Sequence, residues 1–130
     1  MFILAALLVA SLAPSTGAAP LGTRKFKMPS RNIHCLLSNG TLRCDIRSGL
    51  NPEPKRDCDF DWGALSLRVR SRAKPLCISD TIADPDATTL RYGKKWKRRG
   101  IVCTSRRTGL RCRNRVDHGF FLSRRDWDRF

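Results

Sequence analysis

The sequence predicts a mainly β fold: a small single-domain antiparallel sheet of disulfide-bridged hairpins, closed by a short C-terminal helical turn. Three observations carry this expectation. The chain of 130 residues contains six cysteines. Two of its segments, "CLLSNGTLRC" (35–44) and "CTSRRTGLRC" (103–112), share a spacing and an ending. The first is centred on Asn39-Gly40, the strongest short hairpin signal, because a type I′ turn needs positive φ at both central residues.

The N-terminus comes first. Residues 1–19 carry no charged side chain, and "FILAALLVASLA" matches the apolar region of a signal peptide while being too short to span a bilayer as a helix. Small residues after Pro14 place cleavage after Ala18. Residues 1–18 are therefore read as a signal peptide, 19–25 as a short flexible segment and 26–130 as one disulfide-stabilised β domain. A membrane anchor or a buried helix is the alternative, and the absence of Lys and Arg ahead of the apolar run leaves it open. In an exported chain of this size, cysteines form disulfides rather than metal sites. No Cys-x-x-Cys occurs and there are two histidines, so no metal and no cofactor is predicted. Asp57, Asp59 and Asp61 resemble the start of a calcium loop, but Gly63 falls one position late and no glutamate closes it.

With a two-residue loop at Asn39-Gly40, Cys35 faces Cys44 in a non-hydrogen-bonded pair, whose Cα separation of about 4.5 Å suits a disulfide. Alternation puts Ile33, Cys35, Leu37, Leu42, Cys44 and Ile46 on a buried face. His34, Leu36, Ser38, Thr41, Arg43, Asp45 and Arg47 take the solvent face. A slip of one residue would invert both, so the register is well specified. In the second unit, a four-residue loop from Arg106 to Gly109, with the glycine left-handed, keeps Cys103 opposite Cys112 and places Ile101 and Leu110 on the cystine face. Two closed hairpins leave Cys58 to pair with Cys77. Each bridge restricts the unfolded chain by a few kcal/mol, and the two hairpins are expected to staple two edges of the sheet.

Between them, "LNPEPKRDCDFDWG" (50–63) is a turn-rich loop held by Cys58. "ALSLRVR" (64–70) alternates as a strand, and "SDTIADPDATT" (79–89) is a second turn-rich connection. "HGFFLSR" (118–124) is strand-like. Ser123 and Asp126 form a capping-box pattern for a final helical turn carrying Trp127 and Phe130. In this order, "FKMPSRNIHC", "DWG", "CISDT", "LRYG", "GLRCRN" and "HGFFLSR" before Trp127 and Phe130 resemble the pattern of a family of small secreted bacterial proteins known only as a domain of unknown function. The resemblance covers nearly all of 26–130. It implies a secreted, cysteine-bridged, mostly β domain and brings no activity or catalytic residue with it.

Charge is the remaining signal. The chain has 26 basic and 11 acidic residues, a net charge of +15. Residues 91–115 contain eleven Lys and Arg and no acid. The candidate anion-binding residues are Lys94, Lys95, Trp96, Lys97, Arg98, Arg99, Arg106, Arg107, Arg111 and Arg113. Arginine forks match phosphate and carboxylate, and Trp96 is positioned in the run to meet a lipid interface or stack on a base. The expected partner is an anionic polymer or surface: lipopolysaccharide, membrane, cell wall or nucleic acid, bound without sequence specificity. A solvated face is the plainer reading. An envelope protein with a structural or inhibitory role is a further alternative. So is a ribonuclease-like hydrolase, which would need His34 and His118 to approach one phosphate from opposite sides. Alternation places His34 outward beside Asp45, an exposed cross-strand pair. No catalytic residue is predicted.

Overall fold

A computed structural model of the chain describes residues 9, 10 and 23–130. The signal peptide read at 1–18 and the start of the 19–25 segment otherwise lie outside the described residues. Lys25 already belongs to a strand, and Arg24 accepts a backbone hydrogen bond from Leu37. The strands, in chain order, are β1 (Lys25–Lys27), β2 (Ile33–Ser38), β3 (Thr41–Ile46), β4 (Asp61–Arg68), β5 (Lys74–Ile78), β6 (Thr88–Thr89), β7 (Lys95–Arg98), β8 (Ile101–Arg106), β9 (Gly109–Arg113), β10 (Gly119–Leu122) and β11 (Trp127–Arg129).

Asn39 and Gly40 take φ of 51° and 74°, and β2 pairs with β3 so that Cys35 faces Cys44 and Leu37 faces Leu42. Local turn chemistry thus sets the register on which everything else is laid. Cys35–Cys44, Cys103–Cys112 and Cys58–Cys77 are the three disulfides, with Cα separations of 4.1, 4.0 and 5.7 Å. The second hairpin differs from expectation in its loop. Arg106 pairs with Gly109, which leaves a two-residue Arg107-Thr108 turn and incorporates the glycine into β9.

Two sheets form where one was expected. The first has the order β5-β4-β3-β2-β1-β6, the second β11-β10-β9-β8-β7. Pairing is antiparallel except between β1 and β6. Each stapled hairpin is central in its own sheet and not at an edge. One apolar cluster joins the sheets: Phe26, Leu37, Leu42 and Leu65 from the first meet Trp96, Ile101, Leu110 and Phe120 from the second, so the sheets pack face to face as a sandwich. A bulge at Gly63 shifts the β4–β5 register between Trp62 and Ala64. Trp62 and Leu65 can then both join the cluster despite their odd spacing.

The C-terminal helical turn is not formed. Ser123 and Asp126 do engage: the Asp126 N–H donates to Ser123 Oγ (3.2 Å), the bond a helix cap would make. Here it closes a hairpin turn, because the Ser123 N–H also donates to the Asp126 carbonyl. β11 follows and pairs along β10. A helix of so few residues lacks the bonds to offset its nucleation, whereas pairing on β10 satisfies the backbone and packs Trp127 against the core, its indole N–H donating to Pro52 O at 2.6 Å.

Candidate functional site

The register of the second sheet determines what its outer face carries. Lys95 pairs with Thr104 and Thr104 with Arg111, while Lys97 pairs with Val102 and Val102 with Arg113. These side chains stand opposite the Trp96, Cys103 and Cys112 side and form two rows across β7, β8 and β9, each with a cation on β7 and another on β9. Neighbouring strands are about 4.8 Å apart, so the two cations of a row are separated by roughly 10 Å. All four are exposed. Asp117 sits 3.4 Å from Arg113, an exposed pair of little energetic worth. Asp128, opposite Phe121 in the Arg111 row, is the acid at the far edge. The Arg111 guanidinium lies 4.1 Å from the centroid of the Phe130 ring, which orients it without neutralising it.

The rest of the run divides between the two ends of the sheet. Arg99 and Gly100, with φ of 53° and 79°, make the β7–β8 turn, and Lys95–Arg98 of the basic run is strand. Arg98 is half-buried and Arg99 exposed. Arg106 and Arg107 are at the opposite end, with the Arg107 guanidinium 5.1 Å from the Tyr92 ring centroid. Lys94 is exposed just before β7.

Trp96 is not a ligand-stacking residue. It is 1% exposed, lies 5.1 Å from Phe26 between ring centroids, and donates its indole N–H to Thr23 O at 2.9 Å. Pairing with Cys103 fixes it on the inward face. The alternation Lys95, Trp96, Lys97 was the available signal for this: an apolar residue between two polar ones is a strand pattern.

The expected solvent face of the first hairpin is also partly buried. His34 is 4% and Asp45 3% exposed, and Arg43 is half-buried; Arg47 is exposed. The 79–87 connection crosses this face, and the sheet's polar side chains hold it. Arg43 grips Asp45 with two bonds of 2.7 and 3.0 Å and reaches Asp80 through both its carboxylate and its carbonyl. The Arg43 guanidinium is held above its usual pKa, first by the Asp45 bond and, against the cost of its burial, by the Asp80 bond. Asp45 accepts the Ile82 N–H at 3.1 Å, and Lys27 Nζ donates to Pro85 O. His34 Nδ1 accepts the Asp84 N–H at 3.3 Å, which leaves Nε2 to donate to Arg31 O at 3.0 Å. Asp84 lies below the usual carboxyl range because the Asp86 N–H donates to it, with Lys25 at 3.3 Å adding to the effect. A cleft of about 940 Å³ runs beside this seam, lined by Lys27, His34, Asp45, Asp61 and Asp80.

The two histidines are not brought together. His34 faces outward from the first sheet, away from the shared core, while His118 is half-buried in the β9–β10 turn of the second sheet and does not line the cleft that His34 lines. With both ring nitrogens bonded to backbone, His34 is a packing residue.

Fold and face together define a three-disulfide β-sandwich with one strapped outer surface and one cationic one. None of the six cysteines is free, which points to an oxidising, non-cytoplasmic environment. The chain belongs to the family of unknown function DUF6636, whose pattern matches residues 4–128. Comparison with curated proteins and with solved structures finds no match.

Proposed function

We propose that this is an exported, non-enzymatic module that holds a phosphate-bearing anionic polymer or surface against the outer face of its second sheet. The observation that carries the reading is the pair of cross-strand rows, Lys95 with Arg111 and Lys97 with Arg113, on an open face of a chain with net charge +15. A rigid sheet fixes the spacing of these charges, so an extended polyanion meets several at once without ordering any loop. Charges so arranged repel one another until an anion covers them. Three bridges support export, since such chains persist in oxidising compartments. The commitment of both His34 ring nitrogens to backbone supports a binding role over acid-base cleavage.

The test is a binding screen of the oxidised protein against lipopolysaccharide, anionic vesicles, peptidoglycan and RNA. It is run beside a variant carrying Lys95→Gln, Lys97→Gln, Arg111→Gln and Arg113→Gln. Because charge supplies the affinity, the variant should lose binding to whichever partner the parent takes, with its circular dichroism unchanged. Equal binding by the two proteins would make the face merely a solvated one.

A further inference from the structure

The cationic run at 91–115 is not the whole of the basic surface, because the fold adds two arginines from outside it. The β8–β9 turn and the β10–β11 turn lie at the same end of the second sheet, since β9 and β10 run antiparallel between them. Arg106 and Arg107 come from the first turn, Arg124 and Arg125 from the second. All four are exposed, and among the described residues none is in an ion pair. Together they line a cleft of about 620 Å³.

Gly109 lets the two turns approach. A Cβ there would lie 2.6 Å from the Leu122 carbonyl oxygen and 2.7 Å from the Phe121 ring, so any larger residue would push the turns apart. The cleft has two further kinds of wall. Met28 and Ile33, both buried, floor it, and the half-buried rings of Tyr92 and Phe121 make its wall partly apolar. Asp126 is the acid on its lip, bonded to the Ser123 hydroxyl at 3.0 Å.

We propose that this cleft is a site for a sugar phosphate, with the phosphate held between the Arg106–Arg107 and Arg124–Arg125 pairs. The volume falls in the range of small-molecule sites, about 300–1,000 Å³. Guanidinium forks match the oxygens of a phosphate group in pairs. Stacking on Tyr92 leaves the N–H edges of Arg107 available to an anion. The apolar wall suits the C–H face of a pyranose, and the remaining lone pairs of the Asp126 carboxylate accept hydroxyls. A bare phosphate would use the arginines and leave the other walls unused. This site is distinct from the four-cation sheet face and does not rest on the polymer-binding reading.

The experiment is a calorimetric and amide-NMR titration of the oxidised protein at about 150 mM salt, where long-range surface charge is screened. Glucose 6-phosphate, glucose and inorganic phosphate are the probes. Glucose 6-phosphate should saturate one site and shift the amides of Tyr92, Gly109 and Ser123, while glucose does not bind and inorganic phosphate binds more weakly. Arg124→Gln with Arg125→Gln should weaken binding by about tenfold or more, the usual effect of losing charged hydrogen bonds. Lys95→Gln with Lys97→Gln, a change on the sheet face, should leave it alone. No saturable binding of glucose 6-phosphate would overturn the proposal. Inorganic phosphate binding as tightly, or equal losses in both variants, would also overturn it. Polymer binding measured on the same variants is a separate readout, so either reading can fail without the other.

Discussion

At position 96 the structure turns a residue chosen for its exposure into one that the core requires. Trp96 is buried, packed on Phe26 and hydrogen-bonded through its indole to Thr23. Truncating a buried tryptophan usually costs about 3–5 kcal/mol. Trp96→Ala should therefore lower the urea midpoint sharply, and any loss of ligand binding should follow the loss of fold. His34 shows the converse limit. Alternation identified its face correctly as the one opposite Cys35, but not that residues 79–87 would cover that face. Burial by a connection some fifty positions away, as the Asp84 contact shows, leaves no periodic trace in β2. Asp84 itself gives a pH signature. Its carboxylate is favoured in the fold by the Asp86 N–H and by Lys25, so its folded pKa is below its unfolded one. The stabilisation is present above the ordinary carboxyl range, around 4, and is lost as pH falls through the folded value. The protection of the Asp86 amide against hydrogen exchange should fall in that acid window, and Asp84→Asn should remove that pH dependence.

At the scale of elements, the stapled hairpins were legible because each is defined locally. Asn39-Gly40 sets the first register, and a ten-residue cystine repeat then implies the second. The terminal element was misread because a serine and an aspartate three residues apart make the same side-chain bonds in a cap and in a turn. Only the availability of β10 as a partner decides between them. β7 is different, since the alternation of Lys95, Trp96 and Lys97 already marks a strand with Trp96 inward, and its dense charge masks that signal. The repeat also makes a quantitative prediction. Closing a loop of about ten residues should stabilise by about 2.5–3 kcal/mol on the chain-entropy account. Cys103→Ser with Cys112→Ser should lower unfolding free energy by about that much in urea melts. The loss should exceed it if the serine hydroxyls are left unpaired in a site that is 0% exposed.

For the molecule as a whole, the sequence contained the charge total and its clustering but not its geometry. Folding sorts the basic run into four sheet-face cations, an end bearing Arg98 and Arg99, and an opposite end where Arg106 and Arg107 meet Arg124 and Arg125. The last two lie outside the run and join it only through the β10–β11 turn. Two sheets were likewise invisible locally, because the strands of both alternate alike and only the shared cluster distinguishes inner from outer faces. The central claim is that the four sheet-face cations act together on one polyanion, and counterion release measures this directly. With duplex nucleic acid as the phosphate-backbone probe, four neutralised phosphates give a log–log salt slope of about −3.6. Affinity should then fall by roughly a hundredfold between about 50 and 200 mM salt. In the variant with glutamine at Lys95, Lys97, Arg111 and Arg113, the slope should flatten by about 3.6. A parent slope near zero, or a variant slope as steep as the parent's, would contradict the account.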